Sequence, residues 1–189
     1  MQHLRALPWL VATLLGAALA GCGSDTAAVP NTIRVAVSTD LPIGDGAGQI
    51  NKLGIDASRP GSAGFHGRYS LTPPPATGET LVALPDSLLL HNGQPFDDTG
   101  DYVTTPVEIV VHGRLGTTEV VTRTAILKFI TDKPVVLYMP LCQSCAGNPC
   151  DAEHTCRNGT CQTNEVALEG LAEDDGTQPL DNGECPAAP

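Results

Sequence analysis

The chain has 189 residues, with 10 basic against 21 acidic side chains and a formal net charge of −11. That balance argues against nucleic-acid binding, which needs a basic footprint, and against docking of the folded body on anionic lipid. The length suits one domain, or one domain with a small appendage.

The N-terminus reads Met1-Gln2-His3-Leu4-Arg5, then an apolar run over residues 6–20, then small residues. This is the pattern of an export signal. The run is shorter than the ~18–20 residues of a membrane span, and Pro8 interrupts it. Ala18-Leu19-Ala20 offers an ordinary signal cleavage site as an alternative. Leu19-Ala20-Gly21-Cys22 resembles the lipobox of bacterial lipoproteins. The resemblance implies removal of residues 1–21 and attachment of diacylglycerol to the Cys22 sulfur. Membrane association would then run through that lipid. Gly23, where an Asp would favour the inner membrane, implies the outer membrane or cell surface. Residues 22–31, small and polar, suit a tether. Cleavage also removes Trp9 and Arg5, which leaves a net charge of −12.

From Thr32 the apolar residues recur with period two. Ile33, Val35 and Val37 alternate with Arg34, Ala36 and Ser38, and Leu53, Ile55 and Ala57 repeat the habit. Phe65, Tyr69 and Leu71 share one parity, and short apolar runs cover residues 80–84 and 88–91. Val107, Ile109 and Val111 alternate next, as do Val121, Arg123, Ala125, Leu127 and Phe129. Residues 135–141 are almost wholly apolar. Turn residues separate these runs, among them Asn92-Gly93, residues 113–116 and Asp132-Lys133-Pro134. Seven or eight short strands over residues 32–141 predict an all-β, antiparallel sandwich. The length matches an immunoglobulin- or fibronectin III-like sandwich, without the inter-sheet cysteine pair or core Trp of true immunoglobulin domains. Residues 118–129 and 135–141 read as a terminal hairpin.

Residues 142–189 carry Cys142, Cys145, Cys150, Cys156, Cys161 and Cys185, with nine acids and one base, Arg157. Residues 23–141 have no cysteine, so a boundary is expected at 142. The tail resembles the short, EGF-reminiscent cysteine-rich stretches that end many bacterial surface lipoproteins. Six cysteines in an exported chain argue for three disulfides, and fifteen connectivities remain open. The favoured one is Cys145–Cys156, Cys150–Cys161 and Cys142–Cys185. Zinc held by these thiolates and His154 is the alternative, although no second Cys-x2-Cys follows Cys142-x2-Cys145. Asn158-Gly159 marks a tight turn.

Catalytic motifs are scarce. Pro60-Gly61-Ser62-Ala63-Gly64 fails Gly-x-Ser-x-Gly by one residue. His66, His91, His112 and His154 are scattered and read as unrelated surface residues. Asp97-Asp98-Thr99-Gly100-Asp101 offers oxygens for calcium but lacks the EF-hand spacing, so a solvated turn is the plainer reading. The sequence therefore predicts a non-enzymatic, lipid-anchored envelope or surface protein for binding, adhesion or assembly. It needs no cofactor, and its ligand is a protein or a glycan. An enzymatic or metal-binding protein using the tail thiols or the 97–101 loop is the second reading.

Overall fold

The structure is a computed structural model that describes residues 32–60, 63–91, 105–130 and 133–185. The signal and Cys22, the tether, Asn92-Gly93 and the 97–101 loop lie outside the described residues. The described residues form eleven strands, in chain order β1 (Thr32–Val37), β2 (Lys52–Ser58), β3 (Phe65–Ser70), β4 (Thr80–Leu81), β5 (Asp86–His91), β6 (Val107–Leu115), β7 (Thr118–Leu127), β8 (Val135–Tyr138), β9 (His154–Arg157), β10 (Thr160–Thr163) and β11 (Ala172–Glu173). Short 3-10 turns at Gln143–Cys145 and Leu168–Gly170 complete the list.

A five-stranded sheet, ordered β4-β3-β2-β6-β7, faces a four-stranded sheet, ordered β11-β8-β1-β5. The inward residues of both enter one core, including Ile33, Val35, Ile55, Ile109, Val111 and Leu137. Ile109 and Val111 have no exposed surface. Each such side chain contributes about 1.5–3 kcal/mol through burial. Strands β1, β2, β3, β5, β6 and β7 take the places of B, C, C′, E, F and G in an immunoglobulin-type sandwich. The place of strand A, beside B, is filled by β8, which runs parallel to β1.

Three sequence expectations are corrected. The hairpin over residues 118–141 does not form. Instead β7 pairs with β6, and β8 crosses to the other sheet, so β6–β7 is the long hairpin. The sandwich is not purely antiparallel, because β1–β8 and β3–β4 are parallel pairs. The turn at residues 113–116 is shorter than expected. Gly113 lies inside β6 at a bulge, and Gly116-Thr117 makes the turn. A Cβ on Gly113 would lie 2.8 Å from Val121 Cγ1, so close packing requires the glycine. Gly116 takes φ 62°, and its N–H donates to Asn51 Oδ1.

The tail is joined by Cys142–Cys185, Cys145–Cys156 and Cys150–Cys161, one of the fifteen connectivities that the sequence leaves open and the one expected above. Their six sulfurs are oxidised, so zinc loses its thiolate ligands there. Asn158 and Gly159, both at positive φ, turn β9 into β10. The tail lies against the body. Along the free edge of β7, Gly147 N–H donates to Val120 O, and Thr124 and Ile126 N–H donate to Thr155 Oγ1 and Asn164 O. Strand β11 pairs with β8 and closes the edge of the other sheet. Asp174 pairs with Arg34 at 2.7 Å, and Asp181 accepts from Ser38. Arg34, Ala36 and Ser38 alternate as read from sequence, but this face is covered: Ala36 and Val136 are each 1% exposed.

Arg123 follows the inward parity of β7 and is 3% exposed. Its Nη2 donates to Glu184 Oε1 at 2.7 Å and its Nη1 to Pro140 O at 3.3 Å. Burial pulls the Arg123 guanidinium below its ordinary pKa, and the Glu184 charge opposes that fall.

Two outcomes follow for stability. Ile109→Asp buries a charge in the core and is expected to remove most of a ~5–15 kcal/mol stability, whereas Glu108→Lys, on the exposed face, leaves it within about 0.5 kcal/mol. Thermal melts of both variants check the alternation. Glu184→Gln leaves a buried cation unpaired and is expected to cost about 3 kcal/mol, much of which the double variant Arg123→Met/Glu184→Gln recovers. Urea titrations of the single and double variants measure this. A double variant no more stable than Glu184→Gln refutes the assignment.

Candidate functional site

The outward side chains of β3, β2, β6 and β7 form a connected polar row. The register sets His66 opposite Asp56 and Thr122 opposite His112. His66 Nδ1 lies 2.7 Å from Asp56 Oδ1, and Arg68 Nη1 donates to the same oxygen at 2.9 Å. His112 Nε2 lies 3.2 Å from Asp56 Oδ2, and its Nδ1 lies 2.7 Å from Glu119 Oε2. The imidazole of His112 is thus clasped between two carboxylates. A carboxylate only accepts, so the nitrogen facing Glu119 carries hydrogen. Thr122 Oγ1 is 3.4 Å from that nitrogen and finds no lone pair there. Thr122, His112 and Asp56 therefore have the order of a nucleophile, base and acid without the hydrogen bonding that activates one.

Burial pushes the Asp56 carboxyl up. Hydrogen bonds from Arg68 and His66 and the charges of Arg68 and His112 outweigh it, so the group lies below its ordinary 3.8. Glu119 behaves alike: burial raises it, while hydrogen bonds from Thr122 and His112 and nearby charges bring it below its ordinary 4.5.

Where the row meets the tail, a cleft of about 400 Å³ opens between β7 and residues 147–154. Such a volume falls in the range of small-ligand sites. Its floor is Val120, Thr122 and Thr124, and its far wall is Asn148, Pro149 and Asp151 with His154. The hydrogen bonds from Gly147 N–H and Thr124 N–H to the facing strand or tail hold the two walls together. Glu119 and Glu108 also line it, and among the described residues no Lys or Arg does. His154 Nδ1 is hydrogen-bonded to Asp151, which lies below its ordinary 3.8 because of that bond. The disulfides Cys145–Cys156 and Cys150–Cys161 back the wall. Hydroxyls, an amide and carboxylates together suit a ligand rich in hydroxyl or ammonium donors. Among the described residues no cluster of His, Cys, Asp and Glu has a geometry for a metal ion. A second hollow, bounded by Val37, Leu53 and Leu88, is apolar and only about 50 Å³.

The sequence reading treated His66, His112 and His154 as unrelated. The structure brings His66 and His112 to one carboxylate and puts His154 in the cleft. Parity alone places Asp56, His66 and His112 outward, but strand register is what makes them neighbours. His91, at the end of β5, joins neither group. The chain matches no protein-family model, no curated protein and no solved structure.

The row has a pH signature. Asp56 and Glu119 are both held below their ordinary values, so the folded protein binds fewer protons than the unfolded chain. Their stabilisation is full above about pH 4.5 and is lost as pH falls through the folded values, below about 3.8. Asp56→Asn is expected to melt below the wild type near about pH 6, with the difference closing by about pH 3. Melting curves across that window measure it; a difference that persists at the acid end refutes the role of Asp56.

Proposed function

We propose that this is an exported, lipid-anchored binding protein of the cell envelope, without catalytic activity, that offers the β7–tail cleft to a protein or glycan ligand. The cleft is the observation that carries the reading. It is walled on one side by a rigid sheet and on the other by a disulfide-braced loop, so its shape is set before a ligand arrives. Preorganisation of that kind lowers the entropic cost of binding. The export part rests on three disulfides, which belong to oxidising compartments. The anchor part rests on Leu19-Ala20-Gly21-Cys22. Among the described residues no helix is long and apolar enough to cross a membrane. The non-enzymatic part rests on His112, whose two nitrogens both face carboxylates, and on tail sulfurs that are all paired.

Two measurements test this. Labelling with a fatty-acid analogue is expected to mark the wild type and not Cys22→Ser; label on the variant removes the anchor. The mature protein on arrays of envelope glycans and peptides is expected to give binders that Thr122→Arg abolishes by filling the cleft. Ser87→Arg, on β5, serves as the control and keeps them. Arrays without a binder, or binding indifferent to Thr122→Arg, overturn the cleft reading.

A further inference from the structure

We propose that the outer face of the five-stranded sheet also carries a site for a single oxyanion group, phosphate or carboxylate, held by Lys52, Arg68 and Arg114. These three, with one carboxylate, Glu79, line a hollow of about 210 Å³ beside the β6–β7 turn. The chain has only 10 basic side chains and a net charge of −11, so three in one hollow is a local reversal of sign. Register makes the reversal sharper. Lys52 stands directly opposite Arg114 across β2–β6, and Arg68 opposite Gly54 across β2–β3. Like charges directly opposite in a sheet repel and destabilise it.

The existing partners leave Lys52 and Arg114 with donors to spare. Lys52 Nζ donates to Glu79 Oε1 at 2.8 Å, one bond from a group with three donors. Both Glu79 oxygens are occupied, by Lys52 and by Ser70, and its carboxyl lies below its ordinary 4.5 because of those bonds. Arg68 donates to both Asp56 oxygens and to Gly67 O, so it lends the hollow its charge, while Lys52 and Arg114 supply the free donors. Among the described residues Arg114 comes no closer than 4.0 Å to a carboxylate, that of Glu119. Gly54 leaves the floor open: a Cβ there would meet Arg68 Nη1 and His112 Cβ at 3.5 Å, filling the space without a clash.

An anion between Lys52 and Arg114 would replace their repulsion by charge-assisted hydrogen bonds, the stronger class. The hollow is smaller than a drug-sized pocket and suits one charged group. The acidic surface around it repels polyanions. The ligand class is therefore a lone phosphate or carboxylate, as carried by a phosphorylated or a uronic-acid sugar.

Amide shifts of Gly54, Gly116 and Thr117 in titrations with inorganic phosphate, glucuronate and neutral glucose test this. Phosphate, glucuronate or both are expected to move them, and the stronger of the two tells a phosphorylated from a uronic-acid sugar; glucose is expected not to. Arg114→Gln should weaken binding at least about tenfold, the loss of one charged hydrogen bond. Without anion, the same variant should melt no lower than the wild type, since it removes a repulsion. Gly54→Val should block the hollow. Thr122→Arg, in the separate cleft, should leave the titration intact. No shift with either anion, equal shifts with glucose, or an Arg114→Gln variant that melts lower and binds as before overturns the site.

Discussion

Arg123 stands on the inward side of β7, where its neighbours along the strand are Val121 and Ala125. A guanidinium there cannot shed its proton, so it must be met by an anion or the strand must turn. Glu184, next to Cys185, meets it. A buried ion pair adds little net stability, because both charges lose their hydration. Breaking it is costly for the same reason. The pair therefore acts as an address: it specifies where the end of the tail must lie. The disulfide Cys142–Cys185 closes a loop of 43 residues at that point and restricts the unfolded chain.

With its end held there, the tail covers what the sandwich leaves open. Strands β7 and β8 are the outer body strands of their sheets on one side of the molecule. An uncovered edge presents unpaired N–H and C=O groups and invites pairing with another chain. Residues 147, 155, 164 and 166 satisfy β7, while β11 satisfies β8. The cysteine-rich segment is thus a clasp across the sandwich as much as a module of its own. The same arrangement explains β8. It sits between β1 and β11 with both faces covered, so Val135, Val136 and Leu137 are all buried. A strand covered on both faces is uniformly apolar.

The clasp also creates the cleft. Its loop braces against the β7 edge at Gly147 and Thr155 and leaves a gap between those points. The outward face of the five-stranded sheet continues from that gap as alternating carboxylates and nitrogen groups: Glu119, His112, Asp56 and Arg68 in turn across four strands. Salt bridges this exposed add little stability singly. As a connected set they orient one another, which gives the face a fixed pattern of donors and acceptors. At the end nearer the β6–β7 turn the pattern becomes cationic, and at the tail it becomes anionic.

Alternation of Ile33, Val35 and Val37, of Leu53, Ile55 and Ala57, and of Val107, Ile109 and Val111 is enough to specify strands and their buried faces, since side chains on a strand point to opposite sides in turn. Cysteine number likewise specifies a cross-linked tail but not which sulfurs pair, and Asn158-Gly159 specifies its turn, because that conformation needs positive φ. These are local properties, readable along the chain. Partnership between strands is not local. Nothing near Val135 says that β8 crosses to β1 rather than pairing with β7, because an apolar run suits either place. Nothing near Arg34 and Ala36 says that a segment 140 residues onward will cover them. His66, His112 and Asp56 become neighbours only when β3, β2 and β6 choose their register. Arg123 was visible as a charge on an apolar stripe, but its partner could be identified only once the tail had folded back. The sequence by itself determined the class of fold, the inward faces and the covalent staples; the tertiary structure alone decided which edges the tail closes, and hence where the cleft and the charged face lie.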